Sequence, residues 1–184
     1  KQLMYPGLTP TDAEIENLIN FVRGTDTYDE DSDGSKTDSR HKLADIYHSN
    51  ITIVGSPNAS FGNDSSLNYK KKDSFYREDN LYNNFINGAS CGGSCKNRKE
   101  IVLAGSNGGM LHAFDSITGE ELWAFIPPSL LKSLNKMYSS KANSSNSIYG
   151  VDGSPVVKDV YIDDTPRDNV TNPRWRTIVI TGLE

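Results

Sequence analysis

Cysteine and histidine are both scarce: the 184 residues contain two of the first and three of the second. His41, His48 and His112 show no metal-ligand spacing, and Cys91 and Cys95 lack a second ligand pair, which excludes a structural zinc site. Basic residues are outnumbered, 19 Lys and Arg against 24 Asp and Glu, for a net charge of −5. The clustered positive face of a nucleic-acid binder is therefore missing. The one basic run, Lys70-Lys71-Lys72, is answered by Asp73, Glu78 and Asp79. No apolar stretch approaches the ~20 residues that cross a bilayer. A secretory signal is not visible either, which excludes little, because the chain reads as a piece of a longer one that would have lost it. No Ser/His/Asp arrangement for nucleophilic catalysis is legible, and His48 and His112 read as satisfied structural histidines.

The two cysteines enclose only Gly92-Gly93-Ser94. Small residues let so short a loop close through a Cys91–Cys95 disulfide, which suits an oxidising compartment. On the chain-entropy account such a loop contributes about 2 kcal/mol or less.

The most regular stretch is Ile101–Pro127, which reads as three short strands joined by tight turns. Ile101–Gly105 is apolar and β-branched, and Ser106-Asn107-Gly108-Gly109 closes it, with Asn and Gly expected at positive φ. Met110–Phe114 runs back to Asp115-Ser116-Ile117-Thr118-Gly119, where the Asp carboxylate caps backbone N–H groups and Gly119 takes the left-handed conformation. Glu121–Ile126 is the third strand, and Pro127-Pro128 ends it because proline cannot donate to a ladder. So small a meander cannot bury both faces and needs another sheet to stack on. Asp115 reads as a turn former and Trp123 as a core aromatic between stacked sheets.

A second, partial copy follows. Ile178–Gly182 aligns on Ile101–Gly105, and Ser154-Pro155-Val156-Val157 answers Ser49-Asn50-Ile51-Thr52, giving one full repeat and half of the next. The expected fold is mainly β, a partial β-propeller of about one and a half blades of four-stranded antiparallel sheet. A helix and an acidic loop precede it. An ordinary sandwich is the alternative.

The spacing predicts that helix with Thr9 as N-cap, Pro10 at the first helical position, an apolar stripe of Ile15, Leu18, Ile19 and Val22, and Gly24 as the stop. Next comes the chemically sharpest feature, Asp29-x-Asp31-x-Asp33-Gly34. Alternating carboxylates with a glycine bend are how a short loop gathers oxygens for Ca²⁺. The Ser35 carbonyl, the Thr37 hydroxyl and the Asp38 carboxylate could complete the shell, although Arg40 stands where an EF-hand has its bidentate Glu. A solvated acidic linker is the bland alternative.

The organisation expected is a helical lead-in over 1–25, a calcium-type loop over 26–40 and an incomplete propeller over 41–184 with an insert at 56–99. The insert holds Tyr69, Phe75, Tyr76, Leu81, Tyr82, Phe85 and Ile86, enough apolar material to pack locally. It is either a decoration or a surface contacting a partner. Residues 139–147 form a second polar loop.

These motifs together resemble a known family. The acidic loop is followed by Arg40-x-x-Leu43-x-Asp45-Ile46-x-His48-Ser49 and a strand ending in Gly55. Then come Asn107–Asp115, Thr118-Gly119-Glu120-Glu121-Leu122-Trp123 and Tyr149–Val156. The pattern is similar to the C-terminal propeller of the PilY/PilC family of type IV pilus tip-associated adhesins, from about Phe21 to Gly182 apart from the two polar inserts. Ala44 stands where that family usually has Gly.

The resemblance implies a non-enzymatic, calcium-regulated adhesin and pilus biogenesis factor that mediates attachment and pilus extension and retraction. It implies pilin or minor pilins and a host-surface ligand as partners, with no nucleic acid. It also implies an extracellular location at the pilus tip or outer-membrane surface, with outer-membrane association through the rest of the protein. The Trp signature alone would also suit a fragment of a pyrroloquinoline-quinone dehydrogenase or of an outer-membrane assembly scaffold, the latter accounting for the blade but not for the acidic loop. Against the dehydrogenase, no adjacent Cys-Cys pair is present and the acidic loop lies before the first strand, a poor place for an axial cofactor.

Overall fold

A computed structural model describes residues 4–62, 72–88, 94–138, 150–162 and 174–183. Tyr69, Lys70, Lys71, Cys91, Tyr149 and the 139–147 loop lie outside these ranges.

Helix α1 spans Asp12–Arg23. It starts two residues later than the sequence suggested, and the N-cap is Thr11 in place of Thr9. The reason is chemical: a capping box needs Glu or Gln three residues on, which Thr11 finds in Glu14 and Thr9 does not find in Asp12. The Thr11 hydroxyl accepts the Glu14 N–H at 3.3 Å, and Glu14 Oε2 accepts the Thr11 N–H at 2.8 Å. Gly24, at φ 103°, ends the helix as expected. Leu18 and Phe21 are fully buried, in a cluster with Tyr5, Met110, Leu134 and Met137.

Four antiparallel strands form the first sheet in the order β1 Thr52–Val54, β2 Ile101–Gly105, β3 Leu111–Asp115 and β4 Glu121–Phe125. The β2–β3 turn differs from expectation, since positive φ falls on Gly109 (75°) and not on Asn107. Ser106 N–H bonds to Met110 O and Gly109 N–H to Ser106 O. That makes a three-residue loop, which asks only its last residue to be left-handed. The β3–β4 turn is as expected: Asp115 Oδ1 accepts the N–H groups of Ile117 (2.8 Å) and Thr118 (3.2 Å), and Gly119 sits at φ 74°.

Beyond Pro127 the chain does not simply stop being strand. Pro128–Lys136 winds into a 3₁₀ helix that buries Leu130 and Leu134. A second, two-stranded antiparallel sheet follows, β5 Val156–Ile162 paired with β6 Arg174–Ile180. Val54, Leu103, Leu111 and Ala113 of the first sheet pack with Leu130 and Val151, and Val157 of β5 packs against this cluster; no closed barrel forms among the described residues. A Cβ on Gly105 would lie 2.3 Å from the Val151 carbonyl oxygen, so the approach of the backbones requires glycine there. Besides the contact of the His48 ring with Asp152, three hydrogen bonds stitch the chain at the start of β1 to the segment leading into β5. They are His48 N–H to Asp152 Oδ1 (3.2 Å), Asn50 N–H to Ser154 Oγ (3.0 Å) and Thr52 Oγ1–H to Pro155 O (2.6 Å).

Trp123 is 42% exposed and not a core aromatic, because β4 is an edge strand with nothing among the described residues stacked beyond it. The insert instead supplies its own core. Helix α3 (Tyr82–Asn87) packs Tyr82 and Phe85 with Cys95 on Trp175 of β6, and α2 (Lys72–Asp79) reaches the same ring through Tyr76.

Candidate metal centre

The acidic loop is a closed loop with a short neck. Thr25 bridges Ser39, Asp26 N–H bonds to Asp38 O at 2.9 Å, and Arg40 N–H bonds to Gly24 O at 2.9 Å. Inside it, Asp26 is 3% exposed and both its carboxylate oxygens accept the Glu30 N–H, at 3.0 and 2.9 Å. Gly34 N–H reaches across to Asp29 Oδ1 (3.1 Å), and Ser35 N–H bonds to Asp33 Oδ1 (2.7 Å). Left-handed backbone at Asp29 (φ 53°), Ser32 (61°) and Gly34 (87°) produces the bend.

The outcome is that one carboxylate oxygen each from Asp29, Asp31 and Asp33 lie within 4.8 Å of one another. Three negative charges so close repel unless a cation sits among them. Every donor is a carboxylate, hydroxyl or carbonyl oxygen, the set a hard ion such as Ca²⁺ prefers. Asp38 stands outside the converging trio, yet its Oδ1 is buried with no hydrogen-bond partner among the described residues, an orphan acceptor at the neck of the loop. Ser35 is turned to local use, its Oγ accepting the Thr37 N–H at 3.4 Å. Cys95 is disulfide-bonded and buried, while Cys91 lies outside the described residues.

Arg40, at the position where an EF-hand carries its Glu, holds the loop from behind. Its Nε lies 3.0 Å from Glu30 Oε2, and its guanidinium sits 3.8 Å over the Phe21 ring. On the other side Tyr28 stacks on Tyr138 just past the 3₁₀ helix. Burial, reinforced by the neighbouring Tyr138, pushes the Tyr28 phenol well up.

A polar array that the sequence did not disclose lies in the first sheet. Fully buried His112 has Nε2 3.1 Å from Ser106 Oγ and Nδ1 2.8 Å from Glu121 Oε1, and Lys42 pairs with the other Glu121 oxygen. Burial alone would raise the Glu121 carboxyl, but Lys42 and His112 outweigh it and hold it below its ordinary value. The order Ser–His–Glu is that of a nucleophilic triad. Ser106 is only 1% exposed, and its hydroxyl is engaged by the Met110 carbonyl as well as by His112. What the array does here is tie the β2–β3 turn to β4 and, through Lys42, to the segment leaving the acidic loop. Spacing could not reveal it, because His112 and Glu121 meet only through strand register and the bulge between Ala113 and Phe114. His48 is likewise satisfied, with Nδ1 2.5 Å from Asp152 Oδ2.

Fold and site together define a module of two antiparallel sheets with an oxygen-rich acidic loop at its approach. Sequence comparison narrows this. The chain is 27% identical over 181 residues to a type IV pilus biogenesis factor PilY1 homologue of Xylella fastidiosa, covering 96% of this chain and 12% of that protein. It is 30% identical over 172 residues to the PilY1 type IV pilus biogenesis factor of a Pseudomonas aeruginosa strain, covering 94% of this chain and 12% of that one. The factor of another strain matches at 37% over 86 residues, 47% of this chain and 7% of the relative. No family profile and no solved structure matches. The chain belongs to the PilY1-like family, of whose curated members it spans about an eighth or less.

Proposed function

We propose that this chain is the calcium-binding part of a type IV pilus biogenesis factor whose Ca²⁺ occupancy regulates pilus extension and retraction, and that the parent protein acts as an adhesin at the pilus tip or outer-membrane surface. In this reading the two sheets are successive blades of a propeller completed by other parts of that protein. Pilin or minor pilins, a host-surface ligand and the outer membrane are its partners. The observation that carries the reading is the convergence of the Asp29, Asp31 and Asp33 carboxylates in a loop clamped at its neck.

Asp29, Asp31 and Asp33 would hold the ion, with Ser35, Thr37 and Asp38 nearest in the chain to complete its shell. When bound, Ca²⁺ supplies positive charge that cancels the repulsion among the three carboxylates. The protein supplies the route outward. Tyr28 and Arg40 flank the loop and rest on Tyr138 and Phe21, so tightening of the loop bears directly on α1 and the 3₁₀ helix. These elements carry the hydrophobic cluster on which the first sheet sits.

Titration calorimetry with Ca²⁺ on the chain and on Asp31→Ala tests the site. Saturable heats with a dissociation constant between about 10⁻⁷ and 10⁻³ M, lost in the variant, are expected. Equal heats in both would end the reading. In cells carrying Asp31→Ala and Asp33→Ala, twitching motility should change at unchanged expression.

A further inference from the structure

The insert does more than cover β6. A cavity of about 270 Å³ opens between the α2–α3 corner and the second sheet. On the sheet side Tyr161, Trp175 and Arg174 line it, the two rings 5.5 Å apart with Trp175 only 7% exposed, and Tyr76, outside the lining, meets both rings edge-on. Trp175 cannot swing away, because its Nε1–H donates to Asn80 O at 2.8 Å. Across the cleft stand the Asp79 carboxylate and the Asn84 carboxamide, neither of which has a side-chain partner among the described residues. Between them Leu81 is held at φ 56°, ψ 39°, left-handed and 63% exposed. Backbone strain in a non-glycine residue at the rim of a cleft is a mark of sites that hold ligands.

The wall chemistry selects the ligand. A purely apolar molecule would desolvate Asp79 and Asn84 without giving them hydrogen bonds. Arg174 also lines the cleft but is already engaged by another group, so a simple anion would meet the Asp79 charge. A lone metal ion would find one carboxylate and a wall of rings. A neutral ring with C–H groups on its face and hydroxyls around its edge satisfies every part: the face lies on the aromatics, and the hydroxyls donate to the carboxylate and exchange bonds with the carboxamide.

We propose that this cleft binds a saccharide unit, lying on Tyr161 beside the edge of Trp175 and hydrogen-bonded by Asp79 and Asn84. The inference stands apart from the calcium loop and does not depend on it.

The chain has two tryptophans, so Trp123→Phe leaves Trp175 as the sole indole reporter. In that background, and in EDTA so that no divalent ion takes part, the chain is titrated with the methyl glycosides of glucose, galactose, mannose and N-acetylglucosamine. A saturable fluorescence change is expected for at least one, half-complete at about 0.1–10 mM. Asp79→Asn and Asn84→Ala should each weaken it by about tenfold, the factor that follows from losing one good hydrogen bond, at unchanged circular dichroism. Absence of a saturable change with all four glycosides in the folded chain overturns the proposal. So does an affinity that neither variant alters.

Discussion

Tyr28 and Tyr138 lie face to face, with ring centroids 3.9 Å apart and planes 4° from parallel, while Phe21 meets both edge-on. Tyr28 directly precedes Asp29, the first of the converging carboxylates, and Tyr138 follows the 3₁₀ helix. One stacked pair therefore joins the acidic loop to an element 110 residues further along the chain.

Truncating this contact should be felt at a distance. Tyr28→Ala is expected to lower stability by about 2–3 kcal/mol, and a double-mutant cycle with Tyr138→Ala should show coupling of about 1 kcal/mol in urea unfolding. Ca²⁺ should change the near-ultraviolet circular dichroism of the tyrosines in the parent and leave it unchanged in Asp31→Ala.

The Glu121 carboxylate serves two cationic or hydrogen-bonding neighbours at once. Glu121→Gln keeps its shape and its bond to His112 but removes the charge that pairs with Lys42, itself 39% exposed, and should cost about 1 kcal/mol. Adding Lys42→Met should recover part of that loss. If the double variant is no more stable than the single one, the Lys42 contact carries none of the effect.

Acid should act through Asp115 and Glu121. The ion pair with Lys99, then the Ile117 and Thr118 N–H groups, bring Asp115 down to about 2, and Glu121 is also lowered. A carboxyl whose folded value is depressed stabilises above its unfolded value, near 4, and loses that contribution as pH falls through the folded value. Stability should therefore decline between about pH 5 and pH 2, and for Asp115 the loss should be complete only near the bottom of that range. Asp115→Asn should flatten the lower part of the curve, which urea midpoints measured at successive pH values would show.

Two glycines should respond unequally to alanine. At Gly105 the new Cβ meets the Val151 carbonyl at 2.3 Å, whereas at Gly119 it meets nothing within 4 Å. Gly119→Ala should cost only the left-handed strain, about 1 kcal/mol. Gly105→Ala must move a backbone and should cost about 3 kcal/mol or more. Thermal unfolding that ranked them the other way would contradict the sheet spacing described above.

Local patterns made much of this legible. The apolar stripe of α1, the β2–β3–β4 meander and the Asp115 turn are each written within a few residues, so they could be read directly. The N-cap shifted from Thr9 to Thr11 because a reciprocal bond to Glu14 outweighs the proline signal. The 3₁₀ helix after Pro127 went unread because two prolines look the same whether they end a strand or open a helix. Of the acidic loop, the Asp29-Asp31-Asp33 cluster was visible as a motif, but its clamp by Thr25, Ser39 and Arg40 was not. The Ser106–His112–Glu121 array and the exposure of Trp123 depend on strand order, which no short window of sequence encodes.

His48, Asn50 and Thr52 find their partners at Asp152, Ser154 and Pro155, about a hundred residues later. A ribosome adding residues one at a time thus releases these donors long before anything can accept from them. Until synthesis has passed Pro155 they must remain hydrated or be shielded by another molecule. The ladder of the first sheet is complete within residues 52–125, but its seam with the second can close only after Pro155 has emerged, and such long-range closure is slow.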